Sequence, residues 1–193
     1  MEDKRKYSLV CYLEGESKDK VRKLQHALFE LTGSRACIDC WEPHITVGDG
    51  IWVTSDEIKE AEALFQGLVD VEKSFQVNLD GFGGRTDRPS GIGEVTTPYV
   101  LWIEVVVNDD LKQLVQKIKE AVTSKYDLWW SMPQPYTPHV TLAFRDLTEE
   151  GHRAGKEYLE KQGFDEKIVV SHVALVENLP DKDIGYKRFY FKK

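Results

Sequence analysis

One short pattern occurs twice in this chain, and the repetition limits what it can fold into. Glu42-Pro43-His44-Ile45-Thr46-Val47 and Thr137-Pro138-His139-Val140-Thr141-Leu142 both read x-Pro-His-aliphatic-Thr-aliphatic, about half a chain length apart. One His-x-Thr at the end of an apolar run arises by chance. Two, each behind a proline and each flanked by the same order of elements, describe a duplicated unit whose halves each supply one histidine. Strand side chains alternate between faces, so His44 and Thr46 share one face and Ile45 and Val47 the other; His139 and Thr141 likewise point away from Val140 and Leu142. The aliphatic residues should face helices and core, leaving both His/Thr pairs on the open face of a sheet.

The surrounding periodicities define the unit. Tyr7 to Leu13 alternates as a half-buried strand, Gly15 breaks it, Ser17 is placed to cap a helix, and Val21, Leu24, Leu28 and Leu31 recur at helical spacing until Gly33. The first motif strand is expected to end at Gly48-Asp49-Gly50. A helix from Ser55 carries Ile58, Ala61, Leu64, Phe65 and Leu68, and Phe75, Val77 and Leu79 form a strand that runs out at Gly81-Phe82-Gly83-Gly84. After a turn-rich stretch over 85–93 the order recurs. It comprises a strand over 99–107, a helix capped by Asp109 or Asp110, the second motif strand, a helix capped by Thr148, a strand over 168–176 and a last strand over 186–191. The predicted fold is α+β: one bilobal domain over 1–193 with pseudo-twofold halves at about 7–85 and 98–178. Each half runs strand-helix-strand-helix-strand, and antiparallel sheets face a central cleft. No linker separates the halves. Extending the strand parity puts Ala143 and Arg145 beside the second pair, and Ser8, Tyr12, Trp102, Asn78 and Phe82 at other open-face positions.

Composition narrows the partners. The chain has 193 residues and a formal net charge of −7, which argues against a broad grip on duplex DNA but not against one small phosphate ligand. No apolar run approaches a membrane span, and Met1 leads through a charged stretch into a strand pattern, so a cytoplasmic protein with no membrane partner is expected. Cys11, Cys37 and Cys40 form no disulfide framework, which suits a reducing compartment. Cys37 and Cys40 followed by His44 invite a zinc reading, but a fourth ligand is missing nearby and an extended stretch would point the two thiols apart. No metal and no cofactor are expected.

Two histidines and two threonines suit one chemistry. In a phosphodiester displacement the nucleophile loses a proton on one side of phosphorus while the leaving oxygen gains one on the other, and two imidazoles in opposite protonation states meet both demands. Each threonine hydroxyl can donate to a non-bridging oxygen as charge gathers there. Arg145 could clamp the phosphate. Tyr12, Trp102 and Tyr136 are the aromatic residues best placed to meet a base. Trp41, Trp52 and Trp129-Trp130 are read mainly as core or lobe-interface residues, and His26, His152 and His172 as surface or packing residues.

The paired motifs, one per half, resemble the His-x-Thr/Ser-x signatures of the 2H phosphoesterase superfamily, which includes RNA 2′,3′-cyclic phosphodiesterases, also called 2′-5′ RNA ligases. The resemblance covers nearly the whole chain. It implies a bilobal α+β fold, metal-independent catalysis, and His44, Thr46, His139 and Thr141 as the catalytic set. Two departures stand out: Gly48-Asp49-Gly50 follows the first motif at once, and Phe144 intervenes before Arg145. The function expected is hydrolysis of 2′,3′-cyclic phosphates or of 2′-5′ and cyclic nucleotide bonds. The expected partner is a small nucleotide or an RNA end, and the expected state a monomer. A non-catalytic nucleotide- or RNA-end-binding module of the same fold and a 2′-5′ RNA ligase are the alternatives.

Overall fold

The computed structural model describes residues 4–87, 97–126, 136–179 and 182–192. The order is β1 (Arg5–Tyr12), α1 (Gly15–Thr32), α2 (Ala36–Asp39), β2 (His44–Val53), α3 (Ile58–Val69), β3 (Phe75–Arg85), β4 (Val100–Val106), α4 (Asp109–Thr123), β5 (His139–Ala143), α5 (Glu149–Leu159), β6 (Asp165–Val170), β7 (His172–Asn178) and β8 (Asp183–Tyr190). The eight strands form one sheet in the order β6-β3-β4-β5-β2-β1-β7-β8, and every strand pair in it is antiparallel. The expected α+β duplication is present, and the two expected sheets are the two halves of this one. They join where β2 meets β5 through a single registered pair, Ile45 with Val140.

The halves of the sequence interlace in space. β3, from the first half, pairs with β4, while β7, from the second, pairs with β1. The helices cross over too: α1 packs on β5 and α5, whereas α4 packs on β2 and α3. Neither half of the sequence could bury its own apolar face alone.

The sheet is curled, and chain connectivity requires it. β6 and β7 stand six strand spacings apart in the sheet, about 29 Å if it were flat. Ser171 alone links Val170 to His172, a reach of about 7 Å. The strand expected over 168–176 is therefore two strands that belong to opposite ends of the sheet. The ends are fastened together: Phe191 donates its N–H to Ser171 O at 2.9 Å, Lys192 donates to Glu72 O at 3.1 Å, and the Phe75 and Phe191 rings stack at 6.2 Å.

Periodicity set most elements. Leu111, Leu114, Ile118 and Val122 bury one face of α4, whose N-cap is Asn108 rather than either aspartate: its side chain accepts from Leu111 N at 3.0 Å, with Asp109 and Asp110 in the first turn. Thr148 caps α5 as expected. α1 starts at Gly15, ahead of Ser17, and ends at Gly33, whose φ of 77° lets its N–H close on Phe29 O. Two glycine-rich stretches read as strand ends are bulges inside strands. At Gly48-Asp49-Gly50 the β1–β2 register shifts, and Asp49 Oδ1 accepts from Ser8 Oγ and from Gly50 N, both at 2.8 Å. At Gly81 the β3–β4 register also shifts, which turns Phe82 onto the core face with Ile103 instead of the open face.

Candidate active site

The seam between β2 and β5 assembles the repeated motifs. Ile45 and Val140 are fully buried partners there. One step along this antiparallel pairing puts His44 across from Thr141 and Thr46 across from His139, all four half-buried on the face opposite the core. Directly opposed side chains lie about 5 Å apart and diagonal ones about 7–8 Å. Each histidine thus sits beside the other motif's threonine, and the two histidines occupy a diagonal wide enough to flank a phosphate. Strand parity in the sequence puts each pair on an open face; the crossing of the pairs comes from the seam.

The proline before each histidine has a structural reason. His44 Nδ1 lies 2.7 Å from Glu42 O, and His139 Nδ1 lies 3.0 Å from Thr137 O. A carbonyl oxygen can only accept, so Nδ1 carries the proton in both rings, and Nε2 is the nitrogen that gains and loses one. The intervening proline carbonyls are pinned as well, Pro43 O by the N–H of Leu13, just past β1, at 3.0 Å and Pro138 O by Val105 N of β4 at 3.3 Å. Each x-Pro-His segment therefore fixes ring orientation and tautomer, and does so identically in both halves.

Side chains from outside the two strands complete the support. Gln25, buried at 1% exposure, donates from Nε2 to Thr141 O at 3.0 Å, while Tyr136 Oη donates to Thr46 O at 2.8 Å. Arg22 donates to Cys37 O and Trp41 O, each at 2.9 Å, and lies 3.4 Å from the Glu42 carboxylate, which ties the segment before His44 to α1. Sequence reading missed Arg22 and Gln25. The available signal was a polar residue on an apolar stripe, since Gln25 falls between Val21 and Leu28 at helical spacing.

The proposed substrate residues divide. The Tyr12 ring stands edge-on to His44 with centroids 6.3 Å apart, and Trp102 lies 5.0 Å from the His139 ring, so both border the site. Gly83 lies against this indole, and a Cβ there would collide with the Trp102 and Glu104 side chains. Tyr136 points into the support of β2, and burial holds its phenol well above the usual range. Arg145 does not follow the strand parity: β5 ends at Ala143, Phe144 is buried, and Arg145 has a φ of 70°. Its guanidinium lies over the Trp41 ring at 5.0 Å. Trp129-Trp130 falls outside the described residues.

Burial pushes His44 below the ordinary imidazole value, partly offset by the hydrogen bond to Glu42 and by the Asp183 carboxylate, so its neutral form is favoured at pH 7. A cavity of about 230 Å³ opens beside it, bounded by Tyr12, Trp41 and Asp183 among others. Cys37 is buried in α2 against Val100 and Phe144, and burial raises both the Cys37 and Cys40 thiols. Among the described residues no three His, Cys, Asp or Glu side chains are grouped to hold a metal ion. Among them, too, no helix is long and apolar enough to cross a membrane.

The family model of the 2′-5′ RNA ligase superfamily matches residues 33–182, which span both motifs. The chain belongs to this superfamily. Its members are the 2H phosphoesterases, and the chain is an enzyme of that class. Within the superfamily it is similar to a cyclic phosphodiesterase of Arabidopsis thaliana, with 29% identity over 153 residues, 78% of this chain and 71% of the relative. Solved structures share the superfamily fold at low identity. Escherichia coli LigT complexed with 3′-AMP superposes with a TM-score of 0.65 at 16% identity, over 99% of this chain and 100% of LigT. A Thermus thermophilus protein gives 0.66 at 18% identity, over 96% and 97% of the two chains. LigT has also been crystallised with phosphate.

Proposed function

We propose that the protein is a metal-independent phosphoesterase that opens 2′,3′-cyclic phosphates on small nucleotides or RNA ends, with His44 and His139 as the proton-transfer pair. One observation carries the reading: both imidazoles are locked as the Nδ1–H tautomer at diagonal positions of one seam, each beside a threonine. A phosphate resting there would have an Nε2 on either side of phosphorus. A neutral Nε2 takes the proton of the attacking water, and the protonated Nε2 opposite gives its proton to the departing ribose oxygen. Thr46 and Thr141 donate to the non-bridging oxygens as negative charge builds on them. Tyr12 and Trp102 border the phosphate on the two sides and are the residues proposed to contact the nucleoside. Arg145 is proposed as a positioning residue that holds Trp41, rather than as the phosphate clamp its parity suggested.

The Arabidopsis relative's name and the nucleotide complexes of LigT support the substrate class. Joining a cyclic phosphate end to a 5′-hydroxyl opens the same ring with that hydroxyl in place of the attacking water and the histidine roles unchanged, so the same site can serve ligation, which the family's name favours as a second reading. The test is turnover of 2′,3′-cyclic nucleotides with EDTA present. Wild type is expected to be active, and His44→Ala and His139→Ala to lose about 10²-fold or more. Full activity in either variant would refute the assignment.

A further inference from the structure

The cavity beside His44 differs in chemistry from the seam. At about 230 Å³ it is smaller than the roughly 300–1,000 Å³ that house drug-sized ligands, which leaves room for one flat ring system. Trp41 and Tyr12 give it aromatic walls, and Trp41 is fixed by Phe144 at 5.6 Å and by the Arg145 guanidinium at 5.0 Å. Its charged lining comprises Asp39, Glu42 and Asp183 against Arg22. Asp39 is held by Arg35 through Nε and Nη2, and Glu42 by Lys18 at 2.7 Å and Arg22 at 3.4 Å. Asp183 is different. Among the described residues its carboxylate has no cation partner and accepts only from the Asn178 side-chain amide, at 3.1 Å. Its place is set by the backbone, since its N–H donates to Cys40 O at 3.0 Å.

A cavity whose unspent polar group is a carboxylate repels phosphate and selects an edge made of N–H donors. Among the four RNA bases, guanine alone offers two adjacent donors, N1–H and N2–H₂, matching the two oxygens of one carboxylate. Adenine, cytosine and uracil each put an acceptor next to their donor. We infer that the cavity is the base subsite of the proposed phosphoesterase and that Asp183 makes it select guanine, so that guanosine 2′,3′-cyclic phosphate and RNA ends terminating in it are the preferred substrates. The inference rests on the function proposed above and names its substrate.

The experiment compares kcat/KM for the four nucleoside 2′,3′-cyclic monophosphates in wild type and in Asp183→Asn, which keeps the size of the side chain and leaves an amide N–H facing guanine's donors. Wild type is expected to prefer the guanosine substrate over the uridine one by about tenfold or more, the discrimination of one bidentate base contact. Asp183→Asn is expected to remove that ratio. A change in folding or in His44 would shift all four rates together, so the ratio isolates base reading. Equal rates on all four in wild type, or a guanosine preference that survives in Asp183→Asn, would overturn the subsite while leaving the phosphoesterase reading in place. No turnover of any of the four would overturn both. As a second measurement, 3′-GMP should inhibit more tightly than 3′-UMP, and equal inhibition counts against the subsite.

Discussion

At the scale of single residues, the motif histidines are tuned by local backbone. The x-Pro-His segments aim both rings through carbonyls two residues upstream, a device legible in the sequence only as an unexplained proline. Burial lowers His44, His152 and His172 below the ordinary imidazole value. The unfolded chain therefore binds more protons than the folded one at mildly acid pH. Stability from these groups is present above the unfolded value of about 6.5 and is lost as pH falls through their folded values. Urea unfolding at pH 7.5 and at pH 5 is expected to show a lower midpoint at pH 5. Replacing His172, 1% exposed and with no hydrogen-bond partner for its Nε2 among the described residues, by Asn or Gln should shrink that difference. An equal midpoint at both pH values would show that these histidines titrate normally.

At the scale of elements, the seam between β2 and β5 is short, with one registered pair, and is buttressed by α1 and by the segment entering β5. Gln25→Ala would remove a side-chain donor to the Thr141 carbonyl, and Tyr136→Phe one to the Thr46 carbonyl, at a cost of about 0.5–1.5 kcal/mol each. The two sites support opposite strands of one seam. The double variant is therefore expected to lose more activity than stability, because the motif threonines shift before the sheet fails. Chemical denaturation together with kcat on a cyclic nucleotide would check this; a stability loss with unchanged kcat would mean the side chains merely pack. Most elements were legible because their apolar periodicity is strong, as in α4 with Leu111, Leu114, Ile118 and Val122. The misread boundaries at Gly48-Asp49-Gly50 and Gly81 share a cause. Glycine there marks a bulge that a strand passes through, and the same residue type marks strand ends elsewhere. The bulge at Gly81 also explains why Phe82 left the open face, and the end of β5 at Ala143 explains why parity could not place Arg145.

For the whole molecule, the duplication was readable but the interlacing was not. Nothing in the alternation of β3 or β7 says which neighbour each will pair with. That choice follows from closing the curled sheet, where one residue between β6 and β7 must bridge opposite ends. Interlacing also explains the composition of the site. His44 is backed by α4 through β2, and Thr141 by α1 through Gln25, so each half of the sequence supports the other half's motif. The four motif residues and their face were therefore visible in advance, whereas their crossed partners and the cavity needed the fold. The central claim is that two imidazoles, with no metal, carry both proton transfers. The most direct measurement is kcat/KM against pH for wild type on a 2′,3′-cyclic nucleotide in EDTA. The expected profile is a bell, with one inflection on the acidic side of the ordinary imidazole value because burial lowers His44. A rate abolished by EDTA, or a profile with a single limb, would contradict it.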